Sequence, residues 1–435
     1  MTLVLNLRQP LSGNNLKLGS AVLLALCISI LGTTYIYAQQ TQENNKVVYS
    51  VPIVIPNPGE PVYVGNPTNK SNQYNIALLL PFNVMQSMDV DSSGATHYDF
   101  TPETSLAIQY YHGALLALDS LKKTGIKLNV YALDGGSDSN TLRKIFRSGI
   151  IDSMNIILGP VYNSSLRVAA SLAKQKHKLL ISPFSASEYI TRQNSYYISA
   201  NPTLSRHCYE MLSYLHNNYS TRKITLLYTA NSSDSNTVRI LKNQAANFPD
   251  LQFVSFTDTI YSNLKKTLSA TDTNLIIVPS MNEDYVGIIT KQLYDYSATY
   301  PLVVFGMPTW GDFATVRLDY LTAIHCMITG ALWCNKTSTT YLNFEQAFIN
   351  TYHTRPLERN ITGYDQMMLA VKLLTADTSS NTGEHVLSLS YKGLGQNFNF
   401  TPYYSIYNHS GDPDFIENSN VHVFQFKDNS LARRF

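Results

Sequence analysis

From Tyr74 onward, short apolar runs alternate with amphipathic stretches. Residues 76–80 (IALLL) and 128–133 (LNVYAL) read as strands, and between them a helix is predicted over 102–123. That helix opens on Thr101-Pro102-Glu103, where the proline sacrifices no hydrogen bond, and stops at Gly125. Its apolar positions Ala107, Tyr111, Ala114, Leu115, Leu118 and Leu121 fall on one helical face. One β-α-β unit is thereby closed. The alternation continues with helices over 140–147 and 165–176 and strands at 155–158 and 178–181. After a helix over 204–217, a second series has strands at 224–228, 251–256, 275–278 and 302–305. Unbroken runs such as Leu-Ile-Ile-Val mark strands covered on both faces, and helices between them impose parallel pairing. The fold class expected is α/β, with two doubly wound, Rossmann-like lobes.

The N-terminal region breaks this pattern. Residues 21–31 (AVLLALCISIL) are a long apolar run preceded by Arg8 and Lys17 and followed by Ile36-Tyr37-Ala38, which together read as a secretory signal peptide cut after Ala38. Extended through Tyr37, the run reaches borderline length for a membrane span, so an uncleaved anchor is the alternative. Leu26 before Cys27 is too large for a lipidation site. Residues 39–73, with Pro52, Pro56, Pro58, Pro61 and Pro67, read as an extended tether. The expected location is the periplasm.

Charged residues make up 14% of the chain, against ~25% in an average globular protein, and Asn, Ser, Thr and Tyr replace them. A net charge of +2, with Arg8 and Lys17 in the leader, leaves no electrostatic footprint for nucleic acid. Past the leader stand three cysteines, Cys208, Cys326 and Cys334, without the CxxC spacing of a metal or redox site; they read as small buried hydrophobes. No phosphate-gripping, zinc-protease or nucleophile-elbow motif occurs, and the scattered histidines, His112, His207 and His325 among them, read as structural. No cofactor, metal or enzymatic activity is expected.

What the chain does carry is hydroxyl-, amide- and aromatic-rich loops where the predicted strands end, the place where open parallel sheets hold ligands. These are Pro81–Asn83, Asp134–Asp138, Gly159–Ser165 and Ser182–Ser187 in the first series, and Tyr228–Ser232, Ser280–Asp284 and Gly306–Asp312 in the second. Capping and turn formation account for any one of them. Asp134 and Asp138 read as turn and cap residues, and Glu283 and Asp284 as the start of a helix. Trp310 reads either as a stacking wall for a ligand or as a core lid.

From Tyr74 on, the chain resembles the type I periplasmic binding proteins, specifically the branched-chain amino-acid (Leu/Ile/Val) solute receptors of ABC transporters. The likeness rests on IALLLPF, YYHGALLALDSLKKTGIKL, ALDGGSDSN, IILGPVYNSS, AASLAKQKHKLLISPFSAS, FINTYHTRPLERNITGYDQMMLAVKLL and VHVFQFKDN. It implies lobes of 74–202 plus 323–398 and 203–322 plus 399–435, joined by a three-segment hinge and closing on a small ligand. It places Tyr162, Asn163, Ser185, Ala186 and Ser187 against the ligand from one lobe, and Tyr228, Asn282, Met307 and Trp310 from the other. Departures stand beside this. TANSSDSNTV replaces the family's Tyr-Gly pair, and Met307-Pro308 follows Gly306 where an acid is usual, leaving Asp312 nearby. The expected function is an exported receptor for a small polar, amino acid-like ligand, with an ABC permease or a sensor as partner. The alternative is an envelope regulator of the same fold that binds a protein such as a peptidoglycan synthase.

Overall fold

Two separate mixed sheets, each flanked by helices, meet the two predicted series in the computed structural model, which describes residues 2–4, 52–54, 73–84, 86–90, 96–98, 100–136, 138–221, 223–257, 264–376, 382–428 and 430–434. The expected leader and tether fall almost wholly outside the described residues, as does Ser137. The chain forms two units, one of Met1–Ser185, Tyr189–Asn201 and Asn335–Asn418, the other of Ala186–Glu188, Pro202–Cys334 and Ser419–Phe435.

The first unit begins with β1 (Thr2–Val4), β2 (Pro52–Val54) and β3 (Gln73–Leu80), then a hairpin of β4 (Met88–Val90) and β5 (Thr96–Tyr98). There follow α1 (Pro102–Leu121), β6 (Lys127–Asp134), α2 (Ser139–Arg147), β7 (Ile156–Leu158), α3 (Asn163–Gln175), β8 (Leu179–Ser182) and β9 (Tyr197–Ser199). In the second unit α4 (Leu204–Asn218), β10 (Lys223–Tyr228), α5 (Ser232–Gln244), β11 (Gln252–Thr257), β12 (Asn274–Ile277), α6 (Glu283–Ser297), β13 (Leu302–Phe305), α7 (Leu318–Ala323) and β14 (Met327–Gly330) succeed one another. The chain returns to the first unit for α8 (Thr339–Tyr352), α9 (Glu358–Thr375), α10 (Thr382–Ser388), β15 (Ser390–Lys392), β16 (Asn397–Tyr403) and β17 (Phe415–Asn418). It then adds β18 (His422–Lys427) and β19 (Ser430–Arg433) to the second.

Strand order is β1-β2-β6-β3-β7-β8-β9-β17-β16-β15 in one sheet and β11-β10-β12-β13-β14-β18-β19 in the other. The strands predicted from unbroken apolar runs all pair in parallel. Antiparallel pairs fall outside those runs, β16 with β17 and β14 with β18 among them, the last formed by the tail VHVFQFKDN. Those strands move the boundaries. The return expected at residue 323 comes only after Cys334, because β14 lies between β13 and β18 in the second sheet. The crossing expected at residue 399 comes after Asn418, because β16 stays with β17, which pairs with β9 through Ile416 and Ile198.

Residues 76–80 and 275–278 are at most 1% exposed, and removing one such leucine or isoleucine from water stabilises the fold by about 2 kcal/mol. Along α1, Ala107, Tyr111, Ala114, Leu118 and Leu121 are buried as predicted, Leu115 is half-buried, and Tyr110 joins them in the core. Thr101 caps the helix by accepting the Thr104 N–H at 3.2 Å. α1 and α9 pack backbone to backbone: a Cβ on Gly113 would stand 1.8 Å from the Asn360 carbonyl oxygen, and one on Gly363 would stand 2.0 Å from that of Tyr110. Cys208 and Cys326 are free thiols in the core, and Cys334 is half-buried. Among the described residues no helix is long and apolar enough to cross a membrane.

Candidate functional site

In the first unit the loops at the strand ends are held by backbone hydrogen bonds to side chains. The Asp134 carboxylate accepts the N–H groups of Asn83 and Val84, both at 3.0 Å, and of Gly136 at 3.1 Å. Asp138 caps α2 through the N–H groups of Asn140 and Thr141. Both carboxylates therefore have the turn and cap roles expected. After β7 the chain turns at Gly159, with φ of +99° and no room for a side chain, since a Cβ would stand 2.1 Å from the Leu79 carbonyl oxygen. This turn sets Tyr162 at the N-cap of α3 and Asn163 as its first residue.

After β8, Ser185 is buried and its hydroxyl donates to Asn163 Oδ1 at 2.7 Å, so the structure brings two predicted site residues into contact. The Asn163 amide nitrogen and the Tyr162 hydroxyl make no hydrogen bond to any described residue. Tyr162 is half-buried; desolvation pushes its phenol pKa up, the Glu103 carboxylate adds to that, and the Arg359 guanidinium opposes it. Arg359 lies beside the same loops, its guanidinium carbon 5.8 Å from the centroid of the Phe184 ring. Phe184 meets Tyr110 edge-on at 5.8 Å.

A buried polar network supports this loop. Gln366 accepts the Tyr110 hydroxyl at 2.9 Å and donates to the Pro183 carbonyl at 2.9 Å and to Gln396 Oε1 at 3.1 Å. Its neighbour Asp365 accepts the N–H groups of Leu394, Gly395 and Gln396 at 2.6–2.8 Å. Burial pushes the Asp365 carboxyl up to about 6 in spite of those three donors. The sequence reading missed Phe184, Arg359 and Gln366 as site residues.

Ala186 and Ser187 part from Ser185 and belong to the second unit. Their loop is tied to the start of α4, where the Leu204 N–H donates to the Ala186 carbonyl and the Ser205 N–H to Glu188 Oε1 at 2.9 Å. Tyr228, half-buried at the end of β10, lines a shallow cavity with Ser235, Val238, Arg239 and Lys242 of α5. Asn282 is the N-cap of α6, accepting the Tyr285 N–H at 2.8 Å, and Glu283 in that first turn accepts the Thr315 N–H and hydroxyl. Met307 and Trp310 are at most 1% exposed and pack in the core of the second unit. The Trp310 indole N–H donates to the Ser280 carbonyl at 2.9 Å. Of the two roles open to Trp310, the structure gives it the core lid, because its polar edge and its ring are both engaged by its own unit. Among the described residues no group of three or more His, Cys, Asp or Glu could hold a metal ion.

The family described as the receptor family ligand binding region matches residues 110–296. No curated protein sequence matches the chain. Solved structures do match. An ABC transporter substrate-binding protein from Desulfitobacterium hafniense in complex with Leu is 14% identical, covers 83% of this chain and 100% of its own, and superposes with a TM-score of 0.55. A branched-chain amino acid ABC transporter periplasmic ligand-binding protein from Burkholderia xenovorans, also 14% identical, covers 83% and 95% at a TM-score of 0.58. A solute-binding protein of an ABC transporter from Rhodopseudomonas palustris, in complex with 3,4-dihydroxybenzoic acid, is 14% identical and covers 84% and 97% at 0.51. Two mixed α/β sheets in two units, matched over this much of the chain by substrate-binding proteins, give the chain the type I periplasmic binding protein fold.

Proposed function

We propose that this protein is an exported, non-enzymatic solute receptor that binds a small polar, amino acid-like ligand and serves ABC-type uptake or sensing. The observation that carries the reading is the strand-end cluster of the first unit. Tyr162 and Asn163 present polar atoms with no described partner, next to a buried Ser185 and in a fold shared with substrate-binding proteins. Closure of the second unit over that cluster would make the closed form the ligand-stabilised one, since a ligand shifts an equilibrium only by its differential affinity for the two states.

The test is thermal unfolding of the chain lacking residues 1–38 against a panel of amino acids and small carboxylic acids. A saturable rise in Tm with at least one compound is expected, growing with concentration as mass action requires. The double substitution Tyr162→Ala with Ser185→Ala is expected to remove that rise while lowering the apo Tm little. A flat response across the panel would refute the receptor reading, and an unchanged rise in the double variant would refute the placement of the site.

A further inference from the structure

The geometry points to Arg359 as the residue that selects a carboxylate-bearing ligand, an assignment that rests on the receptor reading above and adds the ligand's chemical class to it. Arg359 is the second residue of α9, exposed, and among the described residues no carboxylate lies within salt-bridge distance of it. An arginine stacked near an aromatic face keeps the N–H groups along its edge available, and that edge matches a carboxylate with two parallel hydrogen bonds. Phe184 supplies the face.

The platform is fixed from behind. Phe184 rests on Tyr110, Tyr110 is bonded to Gln366, and Gln366 is bonded to the carbonyl of Pro183, one residue before Phe184. α9 itself is locked against α1 at Gly363 and Gly113. Beside Arg359 the unsatisfied groups are donors too, the Tyr162 hydroxyl and the Asn163 amide, which suits an acceptor-rich anion. The region is not uniformly cationic, because Glu103 also acts on Tyr162. A ligand with an ammonium next to its carboxylate finds an acid here as well.

The test uses L-leucine, 4-methylpentanoate, 3-methylbutylamine and 3,4-dihydroxybenzoate as probes, with thermal shift and calorimetric titration on wild type, Arg359→Gln and Arg359→Lys. At least one carboxylate probe should bind wild type, and the amine should not. Arg359→Gln should weaken carboxylate binding by about 10- to 100-fold, the loss expected for a charge-assisted hydrogen-bonded contact. Arg359→Lys should fall between, and the apo Tm of both variants should match wild type because the side chain is exposed. Equal binding of the amine and the amino acid, or undiminished binding by Arg359→Gln, overturns the assignment and leaves the receptor reading standing. If no probe from this set or the wider panel binds wild type, the receptor reading falls and the assignment with it.

Discussion

The two units treat their strand-end loops differently. In the second, most of the polar residues named are spent on the unit's own architecture: Asn282 caps α6, Glu283 holds the Thr315 backbone, and the Trp310 indole is bonded to Ser280, while the Thr309 hydroxyl is left buried without a described partner. In the first, Asp134 and Asp138 are spent in the same way, yet Tyr162, Asn163 and Arg359 keep hydrogen-bonding capacity unused by any described residue. Residue type at a strand end therefore does not distinguish a binding loop from a capping loop. What sets Tyr162, Asn163 and Arg359 apart is that their unengaged groups belong to side chains that reach solvent, Asn163 and Arg359 being exposed and Tyr162 half-buried, whereas the Thr309 hydroxyl is enclosed.

The most disruptive way to break this comparison is Trp310→Ala. Truncating a buried tryptophan should lower the stability of the second unit by about 4 kcal/mol, seen as a fall in the denaturant midpoint. Trp310→Phe, milder, should leave ligand affinity unchanged. A large affinity loss in Trp310→Phe would return Trp310 to the ligand wall.

The pH dependence should have opposite signs at two buried groups. His207 in the second unit is buried with Nδ1 2.9 Å from Thr329 Oγ1, and burial lowers its pKa to about 4. Between pH 6.5 and 4 the unfolded chain takes up a proton that the folded state refuses, so acidification costs about 3 kcal/mol through this residue. Asp365 in the first unit is the reverse. Its folded pKa of about 6 lies above the unfolded value, so the folded state gains about 3 kcal/mol as pH falls from 6 to 4. His112, stacked on Tyr352 at 4.2 Å and also lowered to about 4 by burial, opposes Asp365 within the same unit. Chemical denaturation at pH 7, 5.5 and 4.5 checks this: His207→Gln should lose less stability on acidification than wild type, and Asp365→Asn should lose more. The smallest expected effect is Asn282→Ala, about 1 kcal/mol from a lost helix cap, with ligand affinity unchanged in titration.

Much of the fold was legible because long, dry runs have only one way to be buried. IALLL lies within β3, the first three residues of LIIV lie within β12 with Val278 just past its end, and the start signal at Thr101 and the face of α1 are as read. The three-residue β9 and the strands β14 to β17 and β19 were not predicted, since their pairing is decided by distant partners rather than by local period, whereas β18 falls within the tail VHVFQFKDN that the resemblance pointed to. The same reason hid half of the candidate site. Tyr162 and Ser185 sit in loops whose composition announces them, whereas Arg359 meets Phe184 from far along the chain, within a stretch that reads locally as an ordinary helix start. Trp310 was ambiguous because a glycine-flanked tryptophan has the same sequence signature inside a core as against a ligand.

The late strands also set an order of assembly. β17 seals β9 in one sheet and β18 seals β14 in the other, so a nascent chain that has emerged only as far as Cys334 displays two raw sheet edges at once. Such edges pair promiscuously. Neither half can be finished during most of synthesis, and the chain is thereby kept from locking into its native shape until its distal segments arrive.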